Sequence, residues 1–433
     1  MDWFIALLAA FNWVSMYTIF RDRNVKRVIP PWTLFAYALI TSEFAWVWLP
    51  LQVILAIIFI SLGALSSVFG ILAMIALCIS WSGLVKSIRF SFQSTELVEA
   101  AIDEELGNDY QKQIPTDIQS QLETGTEFKE WVYPLKMRKP GVERLKNISY
   151  GKLGILNKLD IYRPIDRPEK GCPVLLQIHG GAWMIGSKNY EALPLMNYMA
   201  SKGWICVTIN YRLSPSVEFP AHLEDCKRAL HWIKTEGQQY GMNPDFVAVT
   251  GGSAGGHLTA LMGLTENLPE LQKDFPDTDT SVQAVVPFYG IYDFLARYDH
   301  PSRELLIRFI RNRIIFGSPE DKPELWELAS PISHIHENSP PFMVIQGDID
   351  SLVAINGARL FHQQLKQVSN NPAVYLELPG AEHGFDVFHS PRTEPTIKGI
   401  HKFLEWARAE YNKKKIGATS SKEDSADTEL ADA

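Results

Sequence analysis

Charged residues are nearly missing from residues 32–84 of this 433-residue sequence, where Glu43 is the only one. Residues 3–20 carry none at all. A soluble fold could not hold apolar runs of this length without exposing a large apolar surface. The runs are long enough for membrane spans of about 20 residues. We therefore predict a transmembrane helical region over residues 1–84, with buried core helices as the alternative. The three predicted spans are about 3–20, 34–58 and 63–84.

Basic residues are missing from the start of the chain, Met1-Asp2, which argues against the basic n-region of a cleaved signal peptide. Cations near short loops mark the cytoplasmic side of a span. The domain that follows is therefore expected to face the cytoplasm, whereas a single crossing by residues 32–84 would place it outside. The cations beside the predicted spans are Arg21, Arg23, Lys26 and Arg27 before the second, and Lys86 and Arg89 after the third.

Cysteine is scarce as well, and the four present form neither a C-x-x-C motif nor a metal-ligand spacing. We therefore expect no disulfide framework and no metal site, and we predict each cysteine to be a small buried apolar residue. The formal net charge of −8 gives no reason to expect nucleic-acid binding. The four residues are Cys78, Cys172, Cys206 and Cys226.

Short apolar runs alternate with helix-compatible runs over residues 141–412, a pattern typical of a mostly parallel sheet with helices on both faces. We therefore predict an α/β fold for this segment. Residues 291–330 break the rhythm and are predicted to be an insertion over the site. Residues 413–433 are small, polar and acidic and are predicted to be a disordered tail. The predicted strands lie near 144–150, 158–162, 174–178, 205–209, 246–249, 282–288, 342–345 and 374–378.

The stretch V-T-G-G-S-A-G-G-H, residues 249–257, stands between an apolar run and a helix-compatible run. Gly251-x-Ser253-x-Gly255 therefore lies where a strand would turn sharply into a helix, the context of a nucleophile elbow. Side chains at the two glycine positions would clash with the helix or the next strand. We predict Ser253 to be a nucleophile held at a helix N-terminus, with a plain Gly-Ser turn as the alternative.

A serine hydroxyl becomes nucleophilic when a base, usually a histidine held by a carboxylate, takes its proton. In this type of fold the three residues follow the chain order serine, acid, histidine. His383 lies in a loop after the last predicted strand, at the carboxyl edge of the sheet where ligands bind, so we predict it to be the base. The late histidines compared are His362, His383, His389 and His401.

The acid should follow the preceding strand, where Gln346 to Val353 offers two aspartates. Asp350 is deeper in the loop and can reach a ring nitrogen of His383, so we predict it to be the acid. Asp348 is nearer the strand end and is the alternative. It can instead hold the turn by accepting hydrogen bonds from backbone N–H groups.

A tetrahedral intermediate needs N–H donors aimed at its oxyanion. One predicted donor is the backbone of Ala254, directly after the candidate nucleophile, and the others are Gly180 and Gly181 in the loop after the third strand. Ala182 follows them, and a positive φ is costly for alanine, which counts against a three-donor geometry. His179 is predicted to orient this loop by hydrogen bonding rather than to act as a base.

Residues 85–140 connect the N-terminal region to the α/β segment. The apolar spacing of residues 96–106 suits an amphipathic helix, and residues 128–135 are rich in aromatic side chains. Such a segment can cap the active site, lie on the membrane surface or pack as a simple arm of the α/β segment. The sequence leaves these possibilities open.

Over about residues 140–412 the chain resembles the hormone-sensitive-lipase-like branch of the α/β-hydrolase family. That branch often reads H-G-G-G where Ala182 stands here. With its apolar N-terminus the chain is also similar to membrane-associated bacterial esterases of the mycobacterial Lip type. The motifs that carry the resemblance are His179-Gly180-Gly181, Tyr211-Arg212-Leu213-Ser214-Pro215, Phe219-Pro220-Ala221 with Asp225, Gly251 to Gly256, Gly347-x-x-Asp350-x-Leu352 and His383-Gly384-Phe385.

The resemblance implies hydrolysis of carboxylic esters without a cofactor or metal, on a small-molecule or lipid acyl ester. Ser253 would attack the carbonyl, His383 would move the proton and Asp350 would fix the imidazole. An amidase or formamidase with the same triad is an alternative, because the motif does not encode the leaving group. A membrane-tethered hydrolase fold that only binds is a third possibility.

Overall fold

The computed structural model describes residues 2–20, 31–297 and 303–431. Its centre is an eight-stranded sheet in the order β1-β2-β4-β3-β5-β6-β7-β8. The pairs β1–β2 and β2–β4 are antiparallel, and every other pair is parallel. The strands are β1 (Val142–Ser149), β2 (Lys158–Pro164), β3 (Cys172–Ile178), β4 (Ile205–Ile209), β5 (Met242–Gly252), β6 (Ala284–Phe288), β7 (Phe342–Gly347) and β8 (Ala373–Leu378).

Helices surround this sheet and also form the N-terminal region. Four precede the sheet: α1 (Asp2–Phe20), α2 (Pro31–Glu43), α3 (Ala45–Ser61) and α4 (Val68–Leu106). Two short helices follow, α5 (Thr116–Gln119) and α6 (Phe128–Trp131). The others are α7 (Leu193–Ser201), α8 (Ala221–Glu236), α9 (Ala254–Leu264), α10 (Arg303–Arg313), α11 (Pro323–Leu328), α12 (Ile355–Val368) and α13 (Thr393–Ala431).

The sheet is buried on both faces because its central strands are continuous apolar runs. All seven residues of β3 are buried. Successive side chains of a strand point to opposite faces, so Val174 and Leu176 pack in a core shared with α8 and α9. Leu175 packs on the other face, in a core shared with α7, α13 and the end of α4. The predicted mostly parallel sheet with helices on both faces is confirmed.

The N-terminal region departs from the three predicted spans. The second, about 34–58, is broken at Phe44, where Phe35–Glu43 and Ala45–Ser61 meet at 82°. The third was predicted to end at residue 84 but continues in α4 to Leu106, because no glycine or proline interrupts residues 84–106. In the described residues one helix, α4, is long and apolar enough to cross a membrane, or two if the bent pair is one span.

The apolar helices form a bundle with a polar centre. Asn12 of α1 donates to Ser80 of α4 at 3.1 Å, and the Gln52 amide of α3 donates to Asn12 at 2.9 Å. Phe4 stacks on Phe59 with ring centroids 5.8 Å apart. Because the start of α1 meets the end of α3 in this way, α3 runs antiparallel to α1. Polar side chains that pair between helices hold such bundles together.

The bundle and the α/β segment share α4, so residue 84 marks no structural boundary. Val98 and Ile102 are fully buried in the sheet's core. Glu99 receives a hydrogen bond from Lys402 at 2.6 Å, and Glu105 receives one from the backbone N–H of Ala373 at 2.9 Å. The connector packs alongside, with Lys398 donating to Glu130 of α6 at 2.9 Å.

Three further predictions can be compared with the structure. The final helix, α13, continues to Ala431, through most of the segment for which a disordered tail was predicted. The insertion at 291–330 contains α10 and α11, and its residues 298–302 lie outside the described range. Three cysteines are buried as predicted, but Cys78 is exposed on the apolar face of α4.

Candidate active site

Ser253 occupies a strained turn between β5 and α9. Its φ is 57° and its ψ is −120°, a conformation that residues other than glycine rarely adopt. A Cβ atom on Gly251 would lie 2.5 Å from the carbonyl oxygen of Ile178, and one on Gly255 would lie 2.0 Å from that oxygen. Neither distance is possible, so the glycine spacing seen in the sequence is what lets the strand turn into the helix here.

The structure brings His383 and Asp350 together. The Nδ1 atom of His383 lies 2.8 Å from Oδ2 of Asp350, and both side chains are buried. The Asp350 carboxylate also receives hydrogen bonds from the backbone N–H groups of Leu352 (2.8 Å) and Val353 (2.7 Å) and from the Gln346 amide (2.9 Å). Because an ionised carboxylate can only accept, this contact makes Nδ1 the protonated nitrogen and leaves Nε2 as the basic one.

Asp348 serves the turn instead of the histidine. Its Oδ1 accepts a hydrogen bond from the backbone N–H of Gly380 at 2.7 Å. That bond joins the end of β7 to the loop that carries His383. Asp350 thus contacts His383 and Asp348 contacts the backbone of the histidine loop, while the role of Asp350 as the acid stays a prediction.

Negative charge around His383 raises its pKa. Burial by itself would lower the pKa of this imidazole, but the charge of Asp350, followed by those of Glu382 and Glu191, outweighs burial. Glu382 is buried and accepts hydrogen bonds from the backbone N–H groups of Ser351 (2.5 Å) and His383 (2.9 Å). Burial and the nearby Asp350 raise the pKa of Glu382 to about 7. The surroundings thus favour the imidazolium form that appears when the base takes a proton.

Among the described residues the His383 ring bonds to Asp350 and no hydrogen bond joins it to the Ser253 hydroxyl. Such bonds often form only once substrate is bound. Tyr289, directly after β6, packs against His383 and against Gly252, the residue before Ser253. Its ring centroid is 4.4 Å from that of His383, and a Cβ on Gly252 would lie 2.8 Å from its hydroxyl oxygen. The hydroxyl donates to the buried Asp386. Tyr289 therefore limits where the histidine ring can move.

The predicted donors of the oxyanion hole differ in availability. The N–H of Gly180 donates to Oε2 of Glu191 at 2.5 Å, so the predicted role of Gly180 as a donor is not supported. Gly181 and Ala254 make no such side-chain contact in the described residues. Ala254 is the first residue of α9, where backbone N–H groups have no partner within the helix. In the described part of the chain no hydrogen-bond acceptor is seen for the N–H groups of Ala254, Gly181 and the next residue, Ala182, which leaves these three as candidate donors.

The loop carrying these donors has an unusual backbone. Ala182 and Trp183 adopt positive φ values of 54° and 58°, although the sequence suggested that this would be costly. Surrounding contacts hold the conformation: the Trp183 indole donates to Nδ1 of His257 at 3.2 Å, and His257 Nε2 contacts the carbonyl oxygen of Ala329 at 2.7 Å. Burial lowers the pKa of His257 to about 3, so this linking histidine stays neutral.

His179 orients the loop, as the sequence analysis predicted. Its Nδ1 lies 2.7 Å from the carbonyl oxygen of Gly180, and its ring stacks on Tyr211 with centroids 4.3 Å apart. The hydroxyl of Tyr211 donates to the carbonyl oxygen of His179 at 2.8 Å. Burial lowers the pKa of His179 to about 4, so it is neutral near pH 7 and unsuited to replace His383.

Several residues around the site were missed from the sequence. Tyr289 and Glu382 both follow strands at the carboxyl edge of the sheet, and that position was the signal that could have revealed them. Glu191 has no such signal, because it reaches Gly180 from the segment before α7. Burial raises the pKa of Glu191 to about 7.

Comparisons with known proteins agree with this geometry. A family profile described as BD-FAE matches residues 159–365. The chain is 47% identical over 60% of its length to the probable carboxylic ester hydrolase LipM of Mycobacterium tuberculosis, and the match covers 60% of that protein. It is 36% identical over 72% of its length to the esterase LipQ of the same organism, covering 74% of that protein.

A solved structure gives the same result for the fold. A thermophilic esterase from the planctomycete Thermogutta terrifontis matches with a TM-score of 0.51 and 25% identity, covering 63% of this chain and 93% of that one. The sheet, the turn at Ser253 and the similar proteins thus all indicate the same family. The chain belongs to the α/β-hydrolase family of carboxylic ester hydrolases.

Proposed function

We propose that this protein is a serine esterase that hydrolyses acyl esters through Ser253, His383 and Asp350. The observation that carries the proposal is the 2.8 Å contact between His383 and Asp350, which lies at the same sheet edge as the strained elbow of Ser253. A buried carboxylate that orients an imidazole at the same sheet edge as a partly buried serine at an elbow is an arrangement that suits nucleophilic acyl transfer.

In the proposed reaction Nε2 of His383 takes the Ser253 proton as Oγ attacks the ester carbonyl. The Asp350 carboxylate holds Nδ1–H and stabilises the imidazolium that forms. The N–H groups of Ala254, Gly181 and Ala182 stabilise the developing oxyanion. The alcohol then leaves with the proton from His383, and an acyl ester remains on Ser253. Water, deprotonated by His383, attacks that ester and releases the acid.

The test is Ser253→Ala with a panel of p-nitrophenyl esters of increasing chain length and a fluorophosphonate label. We expect the variant to lose about 10⁴–10⁶-fold in turnover and to remain unlabelled, because the nearby Tyr289 hydroxyl is bonded to Asp386 and does not replace the serine. Ser120→Ala, at an exposed position in the connector, is the matched control and should behave like the natural protein. Labelling of the Ser253→Ala variant at the natural level would refute the assignment.

The same experiment separates the two alternatives. An anilide with the same acyl group reports amidase activity, and preference for the anilide over the ester would favour an amidase or formamidase. Failure of the natural protein both to turn over the panel and to accept the label would favour a fold that only binds.

We also propose that α1, α3 and α4 lie in the membrane and that the catalytic domain faces the cytoplasm. Their outward faces carry large exposed apolar side chains, such as Trp3, Ile57 and Leu72, which are at least half exposed. Lys86 and Arg89 follow the apolar part of α4 on the side of the catalytic domain, as expected for cytoplasmic cations. The four cations of the segment 21–30 fit the same orientation, although they lie outside the described residues.

A further inference from the structure

The helix α2 extends from the apolar N-terminal region to the candidate base. The ring of Phe35 meets the ring of His383 edge-on, with centroids 6.0 Å apart and planes at 73°. Its Cζ would lie 3.9 Å from a Cβ atom on Gly384, the next residue of the histidine loop. Further along α2, Leu39 is buried in the core that also holds Tyr289 and Phe385. One face of α2 is thus part of the wall around His383.

The end of α2 is fixed to both sides of the histidine loop. Glu43, the one charge in residues 32–84, is fully buried and forms an ion pair with the equally buried Arg392. Glu43 also accepts a hydrogen bond at 2.8 Å from Oγ of Ser390, which follows His383 in the chain. Arg392 donates at 3.1 Å to the carbonyl oxygen of Pro379, which precedes His383. Separating the two partners would leave a buried charge uncompensated, which favours the arrangement in which they stay together. The contact therefore sets where α2 lies against the active site.

Beyond Phe44 the chain turns by 82° into α3, which packs with α1 and α4 in the apolar bundle. The outward faces of the helices there are apolar, and such a continuous surface needs a nonaqueous partner. Phe44 itself contacts Phe388 of the catalytic domain, with centroids 5.4 Å apart. The turn therefore stands where the apolar helices meet the histidine loop. The exposed apolar residues concerned include Leu7, Ile54, Ile57, Val68, Leu72 and Ile75.

We infer that α2 forms the membrane-side wall of the active site, and that the enzyme takes acyl esters dissolved in the bilayer with their chain against Phe35. The inference rests on the esterase function and membrane attachment proposed above. Phe35 has a position that serves this role, because its side chain belongs to the apolar helices and also touches the base. A water-soluble ester with a short acyl group would make less apolar contact with Phe35 than a long-chain ester.

The test compares two esters on the full chain in phosphatidylcholine vesicles. One is p-nitrophenyl palmitate dissolved in the vesicles, and the other is p-nitrophenyl acetate in the surrounding water. Phe35→Ala should lower kcat/KM for the palmitate by about tenfold, because it removes apolar contact with the chain. The acetate value should fall by a smaller factor, because a short acyl group loses less apolar contact, so the ratio of the two kcat/KM values is the readout.

Two further variants make the result specific. Phe69→Ala removes another aromatic ring from the apolar face of α4, where Phe69 contacts Trp3, and should leave both esters unchanged. Phe35→Leu keeps an apolar side chain and should retain most of the palmitate activity. Acetate turnover and labelling of Ser253 in the same samples show that each variant is folded.

Three outcomes would overturn the inference. Phe35→Ala could affect both esters equally, which would mean that Phe35 acts on His383 alone. It could affect neither, or Phe35→Leu could lose as much palmitate activity as Phe35→Ala, and in either case the chain does not contact Phe35. If the natural protein hydrolyses neither ester and Ser253 takes no label, the proposed esterase function fails as well. Acetate hydrolysis without an effect on palmitate refutes only the membrane-side wall.

Discussion

Two aspartates that stand two residues apart after β7 have different partners. Asp350 receives three hydrogen bonds besides its contact with His383, whereas Asp348 accepts from the backbone N–H of Gly380. The negative charge of Asp350 is the main factor that raises the pKa of His383 against the effect of burial. A difference of two positions in a loop therefore separates a carboxylate that contacts His383 from one that closes a turn.

Asp350→Asn should lower turnover by about 10⁴-fold, because an amide favours the wrong imidazole tautomer. The carboxylate that raises the pKa of His383 is also lost, so the acidic limb of any remaining activity should move to lower pH. Asp348→Asn is the matched control, since its amide oxygen can still accept from Gly380. A pH–rate profile of both variants measures the effects, and a larger loss in Asp348→Asn would reverse the assignment.

At the scale of elements, the bend between α2 and α3 decides how the apolar region meets the sheet. A straight span over 34–58 was expected from composition, yet Glu43 forms a buried ion pair with Arg392 of the catalytic domain. A buried ion pair need not increase stability, but losing one partner leaves an uncompensated charge. The bend is therefore tied to one salt bridge between distant parts of the chain.

Glu43→Gln should lower the free energy of unfolding by about 3–5 kcal/mol, because the Arg392 guanidinium remains buried without its countercharge. Denaturant unfolding of the detergent-solubilised chain measures the change. A double variant, Glu43→Leu with Arg392→Met, should recover much of the loss, since both charges are gone.

The matched control for that experiment is Glu127→Gln in the connector. Glu127 pairs with Lys129 at 2.6 Å, but both side chains are mostly exposed, so the substitution should change stability little. Equal effects of Glu43→Gln and Glu127→Gln would show that the buried pair does not hold the bend.

At the scale of the whole molecule, α4 joins the apolar bundle to the catalytic domain without a break. Its first part packs with α1, where a Cβ on Gly83 would lie 2.7 Å from the Met16 side chain. Its last part is buried beside α13. Since α4 is one helix, the catalytic domain lies on the side to which its C-terminal end points. That side is also where Lys86 and Arg89 are found.

A reporter at the C-terminus of the full chain should therefore show a cytoplasmic location in a bacterial host. A fluorescent protein fused there should be bright and an alkaline phosphatase inactive, because cations near spans stay in the cytoplasm. The same reporters fused after Leu65, in the turn between α3 and α4, should give the opposite pattern. An active phosphatase at the C-terminus would overturn the proposed orientation.

The sequence by itself determined the sheet and the order of the candidate catalytic residues. Apolar runs of strand length and the glycine spacing around Ser253 depend only on residues close in the sequence, so the strands and the elbow can be predicted from short segments. The choice of His383 followed from its place after the last strand. The three residues remain a predicted triad, but their positions at one sheet edge needed only the strand order.

Only the tertiary structure decided what surrounds them. Glu191 occupies the N–H of Gly180, Tyr289 packs against His383, and Phe35 reaches the base from the apolar region. These contacts join residues far apart in the chain and follow no local period, so no sequence pattern predicts them. The bend at Phe44 has the same origin. The composition shows how long the apolar run is, but a residue distant in sequence, Arg392, determines where the run bends.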